Sequence, residues 1–259
     1  MKKIILQGIA FDNKSSFLKG AALAPPLIRE YYQSKSSNFY AENGREIGPE
    51  IFEDKGDISP KEYFDIESFT LNNLNKNFHV ITLGGDHSIT YPVLKAFNAV
   101  HGPVDILHID AHSDLYHEFE GDKFSHACPF ARIMENGLAN KLVQLGVRTM
   151  TTHQQEQAKK FNVDVIPAAG FTTSSLPEFN NPIYLSLDMD VFDPAFAPGV
   201  SHYEPGGFSS RQVLDLIQNL KVPVLGADIV EYNPSRDING YTGMLCAKLL
   251  KEISAKMLD

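Results

Sequence analysis

Three short clusters of acidic and histidine residues supply side chains of the kind that bind metal ions. Each cluster follows an apolar run of strand length, so each is expected where a strand ends. Two imidazoles and four carboxylates are too many ligands for one catalytic zinc, but they suit two bridged divalent ions. The mixture favours Mn²⁺, although zinc, cobalt, nickel and iron also accept such ligands. The predicted metal ligands are His87, Asp110, His112, Asp114, Asp188 and Asp190.

The spacing within the clusters supports a shared site. Asp110, His112 and Asp114 are two residues apart, which places all three side chains on one face of an extended strand. Asp188 and Asp190 repeat this spacing after a buried run, where two carboxylates repel each other unless a cation lies between them. Taken singly, each cluster also fits an acidic turn, a cap or a structural histidine. Their common position at strand ends favours the metal site.

Strand-like and helix-like segments alternate along the chain and must position these clusters. The alternation predicts an α/β fold with a parallel sheet covered on both faces, in which ligands bind beyond the carboxyl ends of the strands. The whole chain is expected to form a single domain over residues 1–259, with irregular segments at 42–61 and 171–181. Strands are predicted at 3–9, 79–83, 104–109, 142–147, 163–166, 183–187 and 222–229, and helices at 25–33, 63–75, 91–100, 126–136, 154–161, 209–220 and 242–257.

Composition limits the classes of function. The chain has 259 residues, 43% of them hydrophobic, and a formal net charge of −9. This acidity argues against nucleic acid and anionic membranes as partners and suits a small cationic or neutral substrate. The only cysteines, Cys128 and Cys246, form no CxxC pair, and no apolar run approaches the ~18 residues of a membrane span. The chain is expected to start with a strand rather than a signal peptide, and the protein is expected to be cytoplasmic.

Longer motifs around the clusters are specific to one family. The Ser-x-Asp-x-Asp-x-x-Asp-Pro pattern at 186–194 continues into Ala-Phe-Ala-Pro-Gly at 195–199. Together with the stretches at 119–127, 200–207 and 231–237, this pattern resembles the ureohydrolases, which include arginases and agmatinases. The stretches look most like plant-type arginases and their bacterial relatives. The resemblance implies a three-layer α/β/α fold with an eight-stranded, mostly parallel sheet, and a homotrimer or homohexamer.

The resemblance also implies how the metal ligands are divided. It implies two Mn²⁺ ions, which lower the pKa of a shared water toward neutrality. Asp110 and Asp188 would bridge the ions, His87 and Asp114 would complete one ligand set, and His112 and Asp190 would complete the other.

Further residues match positions that act on the substrate in this family. His126 matches the family's proton shuttle, and Glu231 matches its guanidinium-binding carboxylate. Asp114 is counted with these catalytic residues as well as with the metal ligands. Asp193 is expected to shape the turn after the metal strand together with Pro194.

The substrate stays open between related guanidino compounds. The first hypothesis is an arginase, which converts L-arginine and water into L-ornithine and urea; the alternative is an agmatinase or another guanidino- or formimino-acid hydrolase. The loop after the second cluster carries Glu118, Glu120 and Asp122, which are candidate contacts for a substrate amine. A deacetylase-like hydrolase with one zinc and a non-catalytic metal-bound scaffold are disfavoured, because all six ligands and the proton shuttle are present.

Overall fold

A single β-sheet lies between two layers of helices in the computed structural model, which describes residues 4–74, 76–172 and 178–259. The strands are β1 (Ile4–Ile9), β2 (Phe52–Ile58), β3 (His79–Leu83), β4 (Val104–Ile109), β5 (Ala139–Val147), β6 (Asp164–Pro167), β7 (Ile183–Asp188) and β8 (Val224–Val230). The helices are α1 (Ala24–Tyr32), α2 (Asp65–Asn73), α3 (Thr90–His101), α4 (Pro129–Glu135), α5 (Thr152–Lys160), α6 (Ser210–Asn219) and α7 (Tyr241–Met257). Among the described residues, no helix is both long and apolar enough to cross a membrane.

The strand order explains why distant clusters meet. The eight strands are arranged as β2-β1-β3-β8-β7-β4-β5-β6, and every pairing is parallel. All carboxyl ends therefore lie along one edge of the sheet. The strands β3, β8, β7 and β4 are neighbours in its middle, so the segments that follow them converge. The predicted α/β class with an eight-stranded sheet is confirmed, and the sheet is parallel throughout.

Alternating side chains of the strands build one hydrophobic core on each face of the sheet. Ile4 and Leu6 of β1 belong to the core under α1, α6 and α7, whereas Ile5 and Ile9 belong to the core under α2, α3 and α4. This alternation follows from the period of two in a strand and requires apolar residues at consecutive positions. The closing helix α7 buries Leu249 among other apolar side chains, as its predicted apolar stripe requires.

The strand at one end of the sheet was missed by the sequence-based prediction. The segment 42–61 was expected to be irregular, but it contains β2, which pairs with β1. A strand at the sheet edge has one neighbour and needs no continuous apolar run. Most of β2 is exposed, and Arg29 of α1 holds it through ion pairs with Asp54, at 2.9 Å, and with Asp57.

Most other predicted elements are confirmed, with ends that differ by a few residues. The helix expected over 126–136 begins only at Pro129, so His126 lies in the preceding loop. A proline fits the first turn of a helix because its missing N–H would have no partner there. Lys3, Asn75 and residues 173–177, which belonged to a predicted strand, helix and loop, lie outside the described residues.

A glycine allows two strand ends to approach closely beside the first cluster. Asp86 N donates to Phe11 O at 2.9 Å, and Glu231 N donates to Gly85 O at 2.9 Å. A Cβ atom on Gly85 would collide with the Phe11 carbonyl group. Gly85 is therefore required by close packing of backbone against backbone rather than by flexibility.

Gly85→Ala is expected to lower the free energy of unfolding by about 1–3 kcal/mol, because the Phe11 backbone must move to make room. Thermal unfolding of the variant, monitored by calorimetry, measures the effect. The control is Gly48→Ala, where the atoms nearest to the new Cβ belong to the flexible carboxylate end of Glu50. Equal melting temperatures for the two variants would contradict the packing argument.

Candidate active site

The ends of the four central strands bring the predicted residues together. His87 follows β3 and Glu231 follows β8. Asp188 ends β7, and Asp110 directly follows β4. His126 reaches the same place from the loop before α4. All of the predicted metal ligands are buried except His112, which keeps 27% of its side chain exposed.

One group of ligand atoms surrounds His87. Its Nδ1 lies 3.0 Å from Asp188 Oδ2, 3.1 Å from Asp110 Oδ2 and 3.3 Å from Asp114 Oδ2. One imidazole nitrogen and three carboxylate oxygens, which come from the ends of β3, β4 and β7, thus point at a common place. Asp114 adopts a left-handed backbone conformation, with φ of 48°, which is strained for a residue other than glycine and is typical of functional sites.

A second group shares one carboxylate with the first. His112 Nδ1 lies 3.0 Å from Asp190 Oδ2 and 3.6 Å from Asp110 Oδ1. Ligand atoms of His112, Asp110 and Asp190 all lie within 4.8 Å of one another. Asp110 therefore turns one oxygen toward each group, which is the arrangement that a bridging carboxylate requires.

The electrostatics of the cluster fit a divalent cation. Burial and the negative charges of Asp190 and Asp110 raise the pKa of Asp188 well above its usual range. Burial also raises the pKa of Asp190, although His112 opposes this effect. Buried carboxylates this crowded avoid mutual repulsion by taking up a proton or a cation. A set of oxygen and imidazole donors without thiolates suits hard or borderline divalent ions.

Hydrogen bonds behind His87 fix the direction in which its ring points. Ser186 Oγ donates to Asp228 Oδ1 at 2.7 Å and lies 2.9 Å from His87 Nε2. Because that hydroxyl proton is directed at Asp228, Ser186 accepts the Nε2 proton of His87. Burial lowers the pKa of His87, but hydrogen bonds to Asp110, Asp114 and Asp188 raise it well above its usual range, so Nδ1 presents a proton to the carboxylates. A cation held there would replace that proton and meet the Nδ1 lone pair, as in metal-bound histidines that are oriented by an outer partner.

His108 belongs to the centre and was missed by the sequence-based prediction. Its Nε2 lies close enough to the first group to count as a possible ligand. However, Gln144 Nε2 lies 3.0 Å from His108 Nδ1 and donates there, so His108 Nε2 carries the proton and donates to Asp110 Oδ2 at 2.7 Å. His108 therefore positions Asp110. It precedes Asp110 by two residues, so the period-two spacing contained the signal that it shares that face.

His126 and Glu231 form a buried pair beside the two groups. His126 Nδ1 lies 2.8 Å from Glu231 Oε1, which also accepts the backbone N–H of His87 at 2.9 Å. Burial alone would lower the pKa of His126, but the Glu231 carboxylate, together with the charges of Asp86 and Asp114, outweighs burial and raises it to about 9. Glu231 has a left-handed φ of 62°. Strain at such a residue persists where the surroundings hold the side chain in place.

Ser16 contacts the other side of the His126 ring and could not be found from the clusters. Its hydroxyl lies 2.8 Å and its backbone nitrogen 3.1 Å from His126 Nε2. Ser16 lies in the loop after β1, and His126 N donates to Lys14 O of that loop at 3.2 Å. A loop 110 residues upstream therefore forms part of the site.

A cavity opens onto these groups. It does not include the acidic loop residues that were candidate amine contacts: Glu118, Glu120 and Asp122 are absent from its lining, and Asp122 instead pairs with Lys14 at 2.6 Å. Asp193 also lies apart, where it accepts the backbone N–H groups of Ala195 and Gly206. The lining residues are Ser16, His112, Asp114, Tyr116, Phe119, His126, Ala127, Gln154, Asp188, Asp190, His202 and Glu231.

The fold and the site together define an α/β protein with a buried imidazole–carboxylate centre suited to divalent ions. The arginase family model matches residues 2–255. The Arabidopsis thaliana protein named arginase 1, mitochondrial, is 44% identical over 97% of this chain and 80% of the relative. The N(1)-aminopropylagmatine ureohydrolase of Thermus thermophilus is 33% identical over 90% of this chain and 83% of the relative. A structure of arginase from Medicago truncatula matches 99% of this chain and 87% of that chain, with a TM-score of 0.90 and 40% identity.

The chain belongs to the arginase family. The resemblance to ureohydrolases is thereby confirmed, as is the expectation of a hydrolase of this class. The expected cytoplasmic location is wrong, because the similar Arabidopsis protein is named as mitochondrial, which points to an organelle.

Proposed function

We propose that this protein is an arginase, which hydrolyses L-arginine to L-ornithine and urea. One observation carries the proposal: two ligand groups that share Asp110 open onto the same cavity as the His126–Glu231 pair. Metal ligands alone would fit many hydrolases. A buried carboxylate beside a buried imidazole adds a place for a guanidinium group and a proton donor for the departing nitrogen.

We propose that the two groups hold two Mn²⁺ ions. His87, Asp110, Asp114 and Asp188 would hold one ion, and His112, Asp110, Asp188 and Asp190 would hold the other. Such a pair of ions, when bound, lowers the pKa of a water and so supplies the nucleophile at neutral pH.

The residues of the chain perform the remaining tasks. Glu231 pairs with the guanidinium and places its carbon beside the metal ligands. Attack by water forms a new C–O bond, and the C–N bond to the alkyl amine then breaks. His126 donates a proton to the departing nitrogen, so the amine leaves in neutral form and not as an anion. Urea and L-ornithine are the products.

The cavity favours arginine over agmatine as the substrate. The acidic loop that would have attracted a second amine lies outside the lining of the cavity. The sequence identity to a plant arginase also exceeds the identity to the aminopropylagmatine ureohydrolase.

We further propose a homotrimer or homohexamer, which light scattering of the purified protein would test.

Urea release from L-arginine and from agmatine, measured side by side with Mn²⁺-loaded protein, tests the function. We expect a much higher kcat/KM for L-arginine. The reverse preference would make the protein an agmatinase. Release from neither substrate, in protein with a full complement of metal, would refute both activities and direct attention to other guanidino or formimino compounds.

A further inference from the structure

A buried glutamine at the start of α5 lines the cavity while it also caps its helix. Thr151 N donates to Gln154 Oε1 at 2.9 Å, and Gln154 N donates to Thr151 Oγ1 at 3.4 Å. These reciprocal hydrogen bonds form a capping box. Gln154 is only 6% exposed, although it lines the same cavity as the metal ligands.

The capping box determines which atom of the Gln154 amide can bind a molecule in the cavity. The backbone N–H of Thr151 is a donor, so the amide oxygen must be the atom that faces it. The amide nitrogen therefore points elsewhere with two protons, and no hydrogen bond from it to the described residues occurs. Because this donor has no partner among the described residues, an acceptor that enters the cavity gains a hydrogen bond from it.

The rest of the cavity wall lacks a partner for a cation. Apart from the proposed metal ligands and the His126–Glu231 pair, the described lining consists of Ser16, Tyr116, Phe119, Ala127, Gln154 and His202. These side chains offer hydrogen-bond donors and apolar surface but no carboxylate. This part of the cavity therefore suits an anionic or neutral oxygen of the substrate better than a second ammonium group.

We propose that Gln154 Nε2 donates a hydrogen bond to the α-carboxylate of the substrate, and that Gln154 thereby selects the amino acid over its decarboxylated amine. The proposal rests on the proposed function, in which Glu231 holds the guanidinium end. Gln154 would bind the opposite end of the substrate, although its position in the sequence indicates only a helix cap.

The test replaces the NH₂ donor of Gln154 by an oxygen acceptor and keeps the helix-capping hydrogen bond. In Gln154→Glu, a carboxylate oxygen still accepts the Thr151 N–H, because glutamate serves in capping boxes as well as glutamine. The second oxygen replaces the NH₂ group and repels a carboxylate. We expect kcat/KM for L-arginine to fall ~10–100-fold, mainly through KM, because a hydrogen bond to a charged group is lost. We expect kcat/KM for agmatine to stay unchanged or to rise.

The chain contains a matched control in its second capping box. Ser209 and Gln212 at the start of α6 form the same reciprocal hydrogen bonds, and Gln212 is exposed and absent from the cavity lining. Gln212→Glu should leave both kcat/KM values unchanged. Similar melting temperatures for the two variants would show that Gln154→Glu is folded.

A binding measurement keeps the proposal separate from the proposed function. Calorimetry with L-ornithine and putrescine, which differ by the carboxylate, should show that Gln154→Glu weakens the binding of L-ornithine alone. An unchanged preference in both turnover and binding would overturn the role of Gln154. If the wild-type protein released no urea, the proposed function would fail, while the binding preference would still decide the role of Gln154.

Discussion

Asp188→Asn is expected to abolish urea release and to reduce the amount of Mn²⁺ that the protein retains. Asp188 Oδ2 lies 3.0 Å from His87 Nδ1, and Asp188 Oδ1 accepts the backbone N–H of Asp190 at 2.8 Å. Asparagine keeps the shape and the second of these contacts but loses the negative charge. Changes to groups behind metal ligands cost roughly 10–100-fold in metal affinity or activity, so loss of a proposed bridging ligand should exceed this range.

In the metal-free protein, the same substitution should not lower the melting temperature. Burial and the charges of Asp190 and Asp110 raise the pKa of Asp188, so the three carboxylates destabilise one another when no cation is present. Removal of one charge relieves that repulsion. Metal-free Asp188→Asn should therefore melt at the same temperature as metal-free wild-type protein or higher. A merely structural role for Asp188 would instead lower the melting temperature.

Metal analysis by mass spectrometry, urea release and calorimetry together measure these effects. The matched control is Asp193→Asn, which changes a carboxylate in the same stretch of sequence. Asp193 accepts backbone N–H groups in an exposed turn and does not line the cavity. This control should keep full metal content. Wild-type metal content and turnover in Asp188→Asn would contradict the proposed ligand set.

The convergence of the clusters could be predicted from the sequence, but the geometry within the second cluster could not. A period of two predicted Asp110, His112 and Asp114 on one face. In the structure β4 ends at Ile109, bends follow at Ala111 and His112, and Asp114 is left-handed, so Asp114 faces His87 while His112 faces Asp190. Parallel strands place their carboxyl ends along one edge, so clusters distant in sequence were expected to meet. The period of two also places His108, two residues before Asp110, on the same face of β4, so His108 could have been predicted as well.

Other parts depend on contacts that no local pattern records. The strand β2 has charged, exposed side chains, and it is a strand because β1 and Arg29 hold it at the sheet edge. Ser16 reaches His126 only through the path of the loop after β1. The acidic residues after the second cluster were candidate contacts for a substrate amine, but the loop directs Asp122 to Lys14 and away from the cavity.

His126→Asn is expected to lower kcat by about 10²–10⁴-fold while the protein retains its metal. His126 is buried between Glu231, 2.8 Å from Nδ1, and Ser16, whose hydroxyl is 2.8 Å and backbone nitrogen 3.1 Å from Nε2. Asparagine can hydrogen bond in this space but has no proton to transfer near neutral pH. KM should change little, because Glu231 still holds the guanidinium.

The surroundings of His126 support a proton-transfer role over a packing role. The hydroxyl of Ser16 can accept a hydrogen bond from a protonated Nε2 and donate one to an unprotonated Nε2. The ring therefore keeps this partner in both protonation states, which suits a side chain that gains and loses a proton in each turnover. The control is His117→Asn, whose side chain is 51% exposed and absent from the cavity lining. Normal kcat in His126→Asn would assign the proton transfer to another group, and the proposed metal ligands would stand unchanged.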